Sequence, residues 1–321
     1  MPVVPNPDIA KLVALLSALA IDLAFGDPPN RYHPVAGIGR LLRAGQRWLC
    51  RGSPSRLLVA GALTTIAVAG LVAVAAALVS RIAAGLGIAG ILLEALALSS
   101  LLSLRDLIGA ARSVARDLDR GDLAAARGAV GYHLVSRPTA ALDEGQVASA
   151  TIESVAENLT DSLVAPVCCF LAGGLVWAAV YRVINTADSM LGFRRGPLEY
   201  FGKSAARLDD LVNLIPARIA GLSLVAGAAL AGESPGGALA ALRRDRRRTQ
   251  SPNSGWPMSA MAGALGVALE KPGVHRLGAG ALPIAADIER AVRVVAAASA
   301  VSVAFAVFVF AAGAMVLGPA R

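Results

Sequence analysis

Apolar residues along this chain come in long runs rather than in alternation. The longest without a charge is 57–79, LLVAGALTTIAVAGLVAVAAALV, and a second, 292–317, is charged only at its start. Both exceed the roughly 20 residues that cross a bilayer as an α-helix. Residues 9–25 and 87–104 are shorter candidates, each holding one acid, Asp22 and Glu94. Two more runs are interrupted: 163–181 by Pro166 and Gly173-Gly174, and 214–231 by Pro216 and Arg218 near its start. No alternation is long enough to suggest a sheet. The pattern predicts an all-α, polytopic integral membrane protein with broken or re-entrant helices, forming one membrane-embedded domain over 1–321. Within it, 105–162 reads as a cytoplasmic helical segment, broken into separate helices at Gly121.

Composition agrees. The chain is 56% hydrophobic and only 16% charged, against about 25% charged in soluble domains. The net charge of +8 is mostly arginine. In a membrane protein such charge sets orientation, so nucleic acid is not expected as a partner. Arg31, Arg40, Arg43, Arg47, Arg51 and Arg56 face Asp27 alone and place 26–56 in the cytoplasm. The RRDRRR run at 243–248 belongs on the same side, as an orientation anchor. The segment 182–213 is basic too, which predicts that neither interrupted run flanking it spans simply. Irregular backbone is tolerated at membrane depth where protein buries it or it lines a cavity. The apolar N-terminal stretch lacks a convincing cleavage site and reads as a retained first helix. Three cysteines, two of them adjacent, make neither a disulfide framework nor a CxxC metal pair.

Five polar islands lie beside the apolar runs, where polar side chains are costly and tend to be functional. In DLAFGDPPNRYHP, a rigid turn carries Asp27 and His33; an ordinary helix exit would look the same. In ESVAENLTDSLVAP, Glu153, Glu157 and Asp161 are four apart, on one helix face, with Asn158 beside them. No Lys or Arg pairs with them at helical spacing. A solvated acidic face is the plain alternative, but uncompensated carboxylates suit Mg²⁺, which takes oxygen ligands. YRVINTADSMLG supplies Asn185 and Asp188. FGKSAARLDDLVNLIPARI packs Lys203, Arg207, Asp209, Asp210, Asn213 and Arg218 together, either as a salt-bridged face or as a metal–phosphate site. SPNSG, with Ser251 and Asn253, precedes a small-residue helix whose amides suit an anion. No P-loop, GxGxxG or HExxH motif is present. His33, His133 and His275 are far apart in sequence, which gives no support for a histidine metal site.

Taken in order and spacing from about residue 20 to 280, these islands resemble the CobD/CbiB family of membrane-associated adenosylcobinamide-phosphate synthases. The resemblance implies a ligase that joins the free carboxylate of adenosylcobyric acid to the amine of aminopropanol phosphate or ethanolamine phosphate, with ATP and Mg²⁺. It implies Glu153, Glu157, Asp161 and Asp188 as metal ligands, with Asn158 and Asn185 completing the catalytic set. Asp27, His33, Lys203, Arg207, Asp209, Asp210, Asn213, Arg218, Ser251 and Asn253 then bind substrate and phosphate. It further implies one site facing the cytoplasm, an inner-membrane location, and a homo-oligomer or association with other pathway proteins. Two stretches depart from the family pattern. Ser136-Arg137-Pro138-Thr139 stands where Gly-Arg-Asp-Thr is usual, and Val274–Gly278 stands where Tyr-x-Gly is usual. Both bear on which amino-alcohol phosphate is used. Competing readings are a membrane transporter, for which no inverted repeat is seen, and a non-catalytic AmpE-like membrane sensor.

Overall fold

The structure, a computed structural model, describes residues 6–317. The elements in chain order are α1 (Pro7–Phe25), α2 (Pro34–Leu49), α3 (Pro54–Ala84), α4 (Ile88–Ser99), α5 (Leu104–Asp119), α6 (Leu123–His133) and α7 (Glu144–Leu159). A π-helical turn, Thr160–Val164, leads into α8 (Ala165–Leu191), α9 (Leu198–Phe201), α10 (Lys203–Val212), α11 (Leu214–Leu230), α12 (Pro235–Asp245) and α13 (Gly255–Leu265). Two short strands, β1 (Ala268–Lys271) and β2 (His275–Gly278), precede α14 (Ala285–Leu317). The all-α class predicted from the apolar runs holds.

Among the described residues, four helical stretches are long and apolar enough to cross a membrane: Pro54–Ala84, Ile88–Asp119, Glu144–Leu191 and Ala285–Val316; a fifth counts if Lys203–Val212 with Leu214–Leu230 makes one broken span. The 57–79 and 292–317 runs fall inside the first and last. Residues 9–25 do form a helix. With Asp8, Lys11 and Asp22 among its 19 residues, however, α1 is not among the four. Its Lys11 is drawn inward, donating from Nζ to the Leu171 carbonyl at 2.9 Å and lying 5.3 Å from the centre of the Phe310 ring. The interruption expected in 163–181 is real. Gly173 and Gly174 leave helical geometry, and Gly174 takes φ 69°, ψ −163°, a conformation that only glycine adopts easily.

The described residues form two compact units. One comprises 6–103, 165–212 and 306–317; the other comprises 104–164 and 213–305. The core of the first unit gathers Ile38 and Leu42 of α2, Leu57 and Val68 of α3, Val183, Ala187 and Leu191 of α8, Phe201 and Ala205. Helix α3 comes close enough to α9 that a side chain at Gly61 would collide with the Phe201 carbonyl. On its other faces α3 leaves Leu63, Ile66, Val74 and Ile82 more than half exposed. Apolar surface of that extent suits lipid.

In the second unit, α5 and α6 are separated at Gly121, which takes φ 73°, as the break in periodicity predicts. Helix α7 starts at a capping box: Asp143 accepts from the Gln146 amide at 2.8 Å, and Gln146 accepts from the Asp143 amide at 3.1 Å. Helices α12 and α13 touch backbone to backbone through Gly237 and Gly263. The expectation of no sheet is corrected by an antiparallel hairpin, with Leu269 opposite Leu277 and Lys271 opposite His275. Its strands are only four residues long, too short for alternation to register. The turn is closed by Gly273 at φ 72°.

The RRDRRR run has a structural role. Asp245 at its centre has a fully buried side chain. It accepts two hydrogen bonds from Arg244, at 2.9 and 2.7 Å, and one from the Gly278 amide at 2.9 Å, with Arg248 at 3.2 Å. This ties α12 to the hairpin. Burial pushes the Asp245 carboxyl up, but the Arg244 hydrogen bonds, the Gly278 amide and the charges of Arg244 and Arg248 outweigh it and hold it below its ordinary value. Its stabilising contribution is therefore complete above about pH 4, the usual unfolded value, and fades as pH falls through the depressed folded value. Asp245→Ala strands a buried amide and two guanidinium groups, and should cost about 3 kcal/mol. In detergent melts at neutral pH the variant should melt several degrees below wild type, with the gap closing below about pH 4. An unchanged melt at neutral pH would contradict this role.

Candidate functional site

The sequence-predicted residues fall into both units, and each set has its own geometry. In the first unit, Asp27 and His33 meet at the start of α2. His33 Nδ1 accepts from the Val35 amide at 3.1 Å, capping the helix, which leaves the ring proton on Nε2, 3.4 Å from Asp27 Oδ2. The Ser103 hydroxyl donates to the same carboxylate oxygen at 3.1 Å. Pro34 at the first helical position favours this cap. Further along, Arg182 and Asn185 on α8 and Asp209 on α10 form a chain. Arg182 donates to the Asn185 carbonyl at 3.4 Å, and the Asn185 amide donates to Asp209 at 3.4 Å.

Asp188, one turn after Asn185, lies against Gly192, where any side chain would strike its carboxylate. Gly192 opens a cavity of about 270 Å³ whose lining includes Arg194, Glu199, Lys203, Arg207 and Asp210. Lys203, Arg207 and Asp210 recur at i, i+4 and i+7 along one face of α10. The Arg207–Asp210 pair is loose at 4.0 Å. Arg194 and Glu199 were not among the residues singled out from the sequence. Their signal, charges in the turn between two predicted site motifs, was present but not decisive.

In the second unit, α7 carries Glu153, Asn158 and their neighbours. Ser154 donates to the Leu134 carbonyl at 2.7 Å and receives the Asn158 amide at 3.0 Å. At the start of the π-helical turn, Asp161 accepts from the Asn213 amide at 3.3 Å. On α11, Arg218 donates to the Asn253 carbonyl at 2.7 Å and stacks 5.0 Å from the centre of the Trp256 ring. Ser251 folds the SPNSG loop, its hydroxyl accepting from the Asn253 amide at 3.2 Å. Asp161, Asn213, Arg218 and Asn253 thus sit along the beginning of α11.

Glu153 behaves differently from the expectation. It is not an uncompensated member of an acidic stripe. His275 on β2 donates from Nε2 to Glu153 Oε1 at 2.8 Å, and Arg137 approaches Oε2 at 3.9 Å. Both partners come from segments remote in sequence, so helical spacing could not reveal them. The side chains of Glu153 and His275 are less than a tenth exposed. With its proton on Nε2, His275 keeps a buried acceptor, Nδ1, with no partner among the described residues.

Glu153, Glu157 and Asp161 do not gather as a metal site. Among the described residues, no three His, Cys, Asp or Glu side chains gather where they would hold a metal ion. Glu153 is engaged by His275 and Arg137. Glu157 is exposed, and Asp161 lies in the π-helical turn, where the four-residue repeat that stacks side chains on an α-helix no longer holds. A resident metal held by Glu153, Glu157 and Asp161 together does not fit this arrangement.

Three comparisons bear on these residues. A family model described as CobD/Cbib protein matches residues 15–310. A protein of Dehalococcoides mccartyi named cobalamin biosynthesis protein CobD is 40% identical over 268 residues, covering 83% of this chain and 86% of its own. A probable cobalamin biosynthesis protein CobD of Methanothermobacter thermautotrophicus is 40% identical, with coverage of 84% and 88%. A cobalamin biosynthesis protein CobD of Rhodobacter capsulatus is 42% identical over 266 residues, with coverage of 81% and 82%. No solved structure matches.

If Glu153 is a buried hydrogen-bond partner, Glu153→Ala should destabilise the protein by about 2–3 kcal/mol, because it leaves the His275 N–H unpaired. Glu153→Gln, which keeps an acceptor, should cost less than half as much. Detergent melts of the two variants check this, and equal losses would contradict it.

Proposed function

The chain belongs to the CobD/CbiB family, and from that premise we propose that it acts in cobalamin biosynthesis as an ATP-dependent ligase. The reaction joins adenosylcobyric acid to aminopropanol phosphate or ethanolamine phosphate and gives adenosylcobinamide phosphate. The observation that carries this reading is the family match over 15–310, which includes every candidate site residue described above. Mg²⁺ enters with ATP, as part of the substrate.

A carboxylate is a poor acyl donor, because its leaving group would be an oxide. In the proposed sequence a corrinoid carboxylate oxygen attacks the γ-phosphorus of ATP, and the bond to ADP breaks. The amine nitrogen then attacks the acyl carbon, phosphate leaves with its bridging oxygen, and the nitrogen sheds a proton. Both steps build charge on phosphoryl oxygens, which cations and N–H donors stabilise. In the second unit, Arg218, held by Asn253, supplies a cation for that charge, and in the first unit Lys203, Arg207 and Arg194 line one cavity that suits a substrate phosphate. Asp209 holds Asn185 in register by accepting from its amide. In the second unit, Asn213, Asn253 and Asn158 present amide groups, which match the amide side chains of a corrinoid. We place the reaction on the cytoplasmic side of a cell membrane. The basic segments 26–56 and 243–248 orient the chain that way, and ATP is cytoplasmic.

Detergent-purified protein supplied with adenosylcobyric acid, ethanolamine phosphate, ATP and Mg²⁺ should give a corrinoid mass gain equal to the amine less one water. One ADP should be released per corrinoid converted. Arg207→Met, which removes one of the exposed cations named above, should reduce that rate at least tenfold. No mass gain with either amino-alcohol phosphate would overturn the function. A wild-type rate in the variant would remove Arg207 from the site.

A further inference from the structure

The cavity beside α10 has properties that select a ligand. Its volume is about 270 Å³, below the roughly 300–1,000 Å³ of sites that enclose drug-sized molecules. A corrinoid or a nucleoside triphosphate is too large to be enclosed there, whereas a phosphorylated amine of a few carbons is not. The lining is also mixed in sign. Arg194, Lys203 and Arg207 provide three cations, and Glu199 and Asp210 provide two carboxylates. A site for phosphate alone gains nothing from two acids at its wall, since like charge disfavours the ligand. A zwitterion uses both signs. A phosphate monoester carries about −1.5 to −2 charges at neutral pH, and an ammonium group offsets one of them. The lining, with one cation in excess, matches that balance.

The carboxylates are not equivalent. Asp210 pairs with Arg207 at 4.0 Å on the same helix face. Glu199 comes from the separate turn α9. Gly192 and Ala206, also in the lining, are small and leave the interior open. We propose that this cavity binds a small phosphorylated primary amine, with the phosphate on Lys203, Arg207 and Arg194 and the ammonium on Glu199. The inference deepens the ligase reading by giving its nucleophile a place, and it rests on that reading for what the bound amine does next.

The test is isothermal titration of the full-length protein in detergent with O-phosphoethanolamine, ethyl phosphate and ethanolamine. The two shorter probes each lack one charged end. Wild type should bind O-phosphoethanolamine at least about tenfold tighter than either, the loss expected when one charge-assisted contact is removed. Lys203→Met should weaken O-phosphoethanolamine and ethyl phosphate alike. Arg194→Ala, on an exposed side chain, should do the same without risk to folding. Glu199→Gln should weaken O-phosphoethanolamine about tenfold and leave ethyl phosphate unchanged. Equal wild-type affinity for O-phosphoethanolamine and ethyl phosphate, or a parallel loss of both in Glu199→Gln, would overturn the proposal. The two readings fail separately. Selective binding without amide product removes the ligase and leaves the cavity's ligand. Amide product with an unchanged KM for O-phosphoethanolamine in Lys203→Met removes the cavity and leaves the ligase.

Discussion

Lipid supplies no hydrogen bonds, so a chain this apolar must satisfy its polar groups from within itself. Helices satisfy the backbone in this way. The consequence reaches further, because each polar side chain carried inward must bring or find a partner. Lys11 finds the Leu171 carbonyl. Ser154 finds the Leu134 carbonyl and passes its own oxygen to Asn158. Asp245 gathers Arg244, Arg248 and the Gly278 amide. The fold is organised by these pairings as much as by apolar contact, since an unpaired polar group costs more than a typical hydrogen bond contributes.

The same constraint explains why candidate functional residues are already hydrogen-bonded. Asn185 with Asp209, Asp161 with Asn213, and Arg218 with Asn253 are held at fixed positions by one another. A group fixed in this way needs little reorganisation when charge develops on a substrate, which is the condition for electrostatic catalysis. The cavity beside α10 stands apart. Lys203 and Arg207 are exposed along one helix face, so their charge remains available to a ligand.

Much of this was legible in the sequence, and the failures share a cause. Uninterrupted apolar runs gave α3 and α14. Gly121 and Gly174 marked breaks because each takes a positive φ that glycine adopts easily. The five polar islands were identified by local composition. Contacts between segments remote in the chain were hidden. Glu153 looked uncompensated because His275 and Arg137 lie 122 and 16 positions away. The hairpin bringing His275 there has strands too short for alternation to show. Asp161 leaves the acidic stripe for a related reason: a four-residue repeat stacks side chains only on a regular α-helix, and the turn at Thr160–Val164 is not one.

The central claim is chemical: the corrinoid carboxylate is activated by phosphoryl transfer before the amine attacks. Adenosylcobyric acid labelled with ¹⁸O in its free carboxylate tests it most directly, with ATP and ethanolamine phosphate present. The account predicts that one labelled oxygen leaves in inorganic phosphate and the other stays in the amide of the product. Product formed without label in phosphate would contradict it, as would label appearing in AMP.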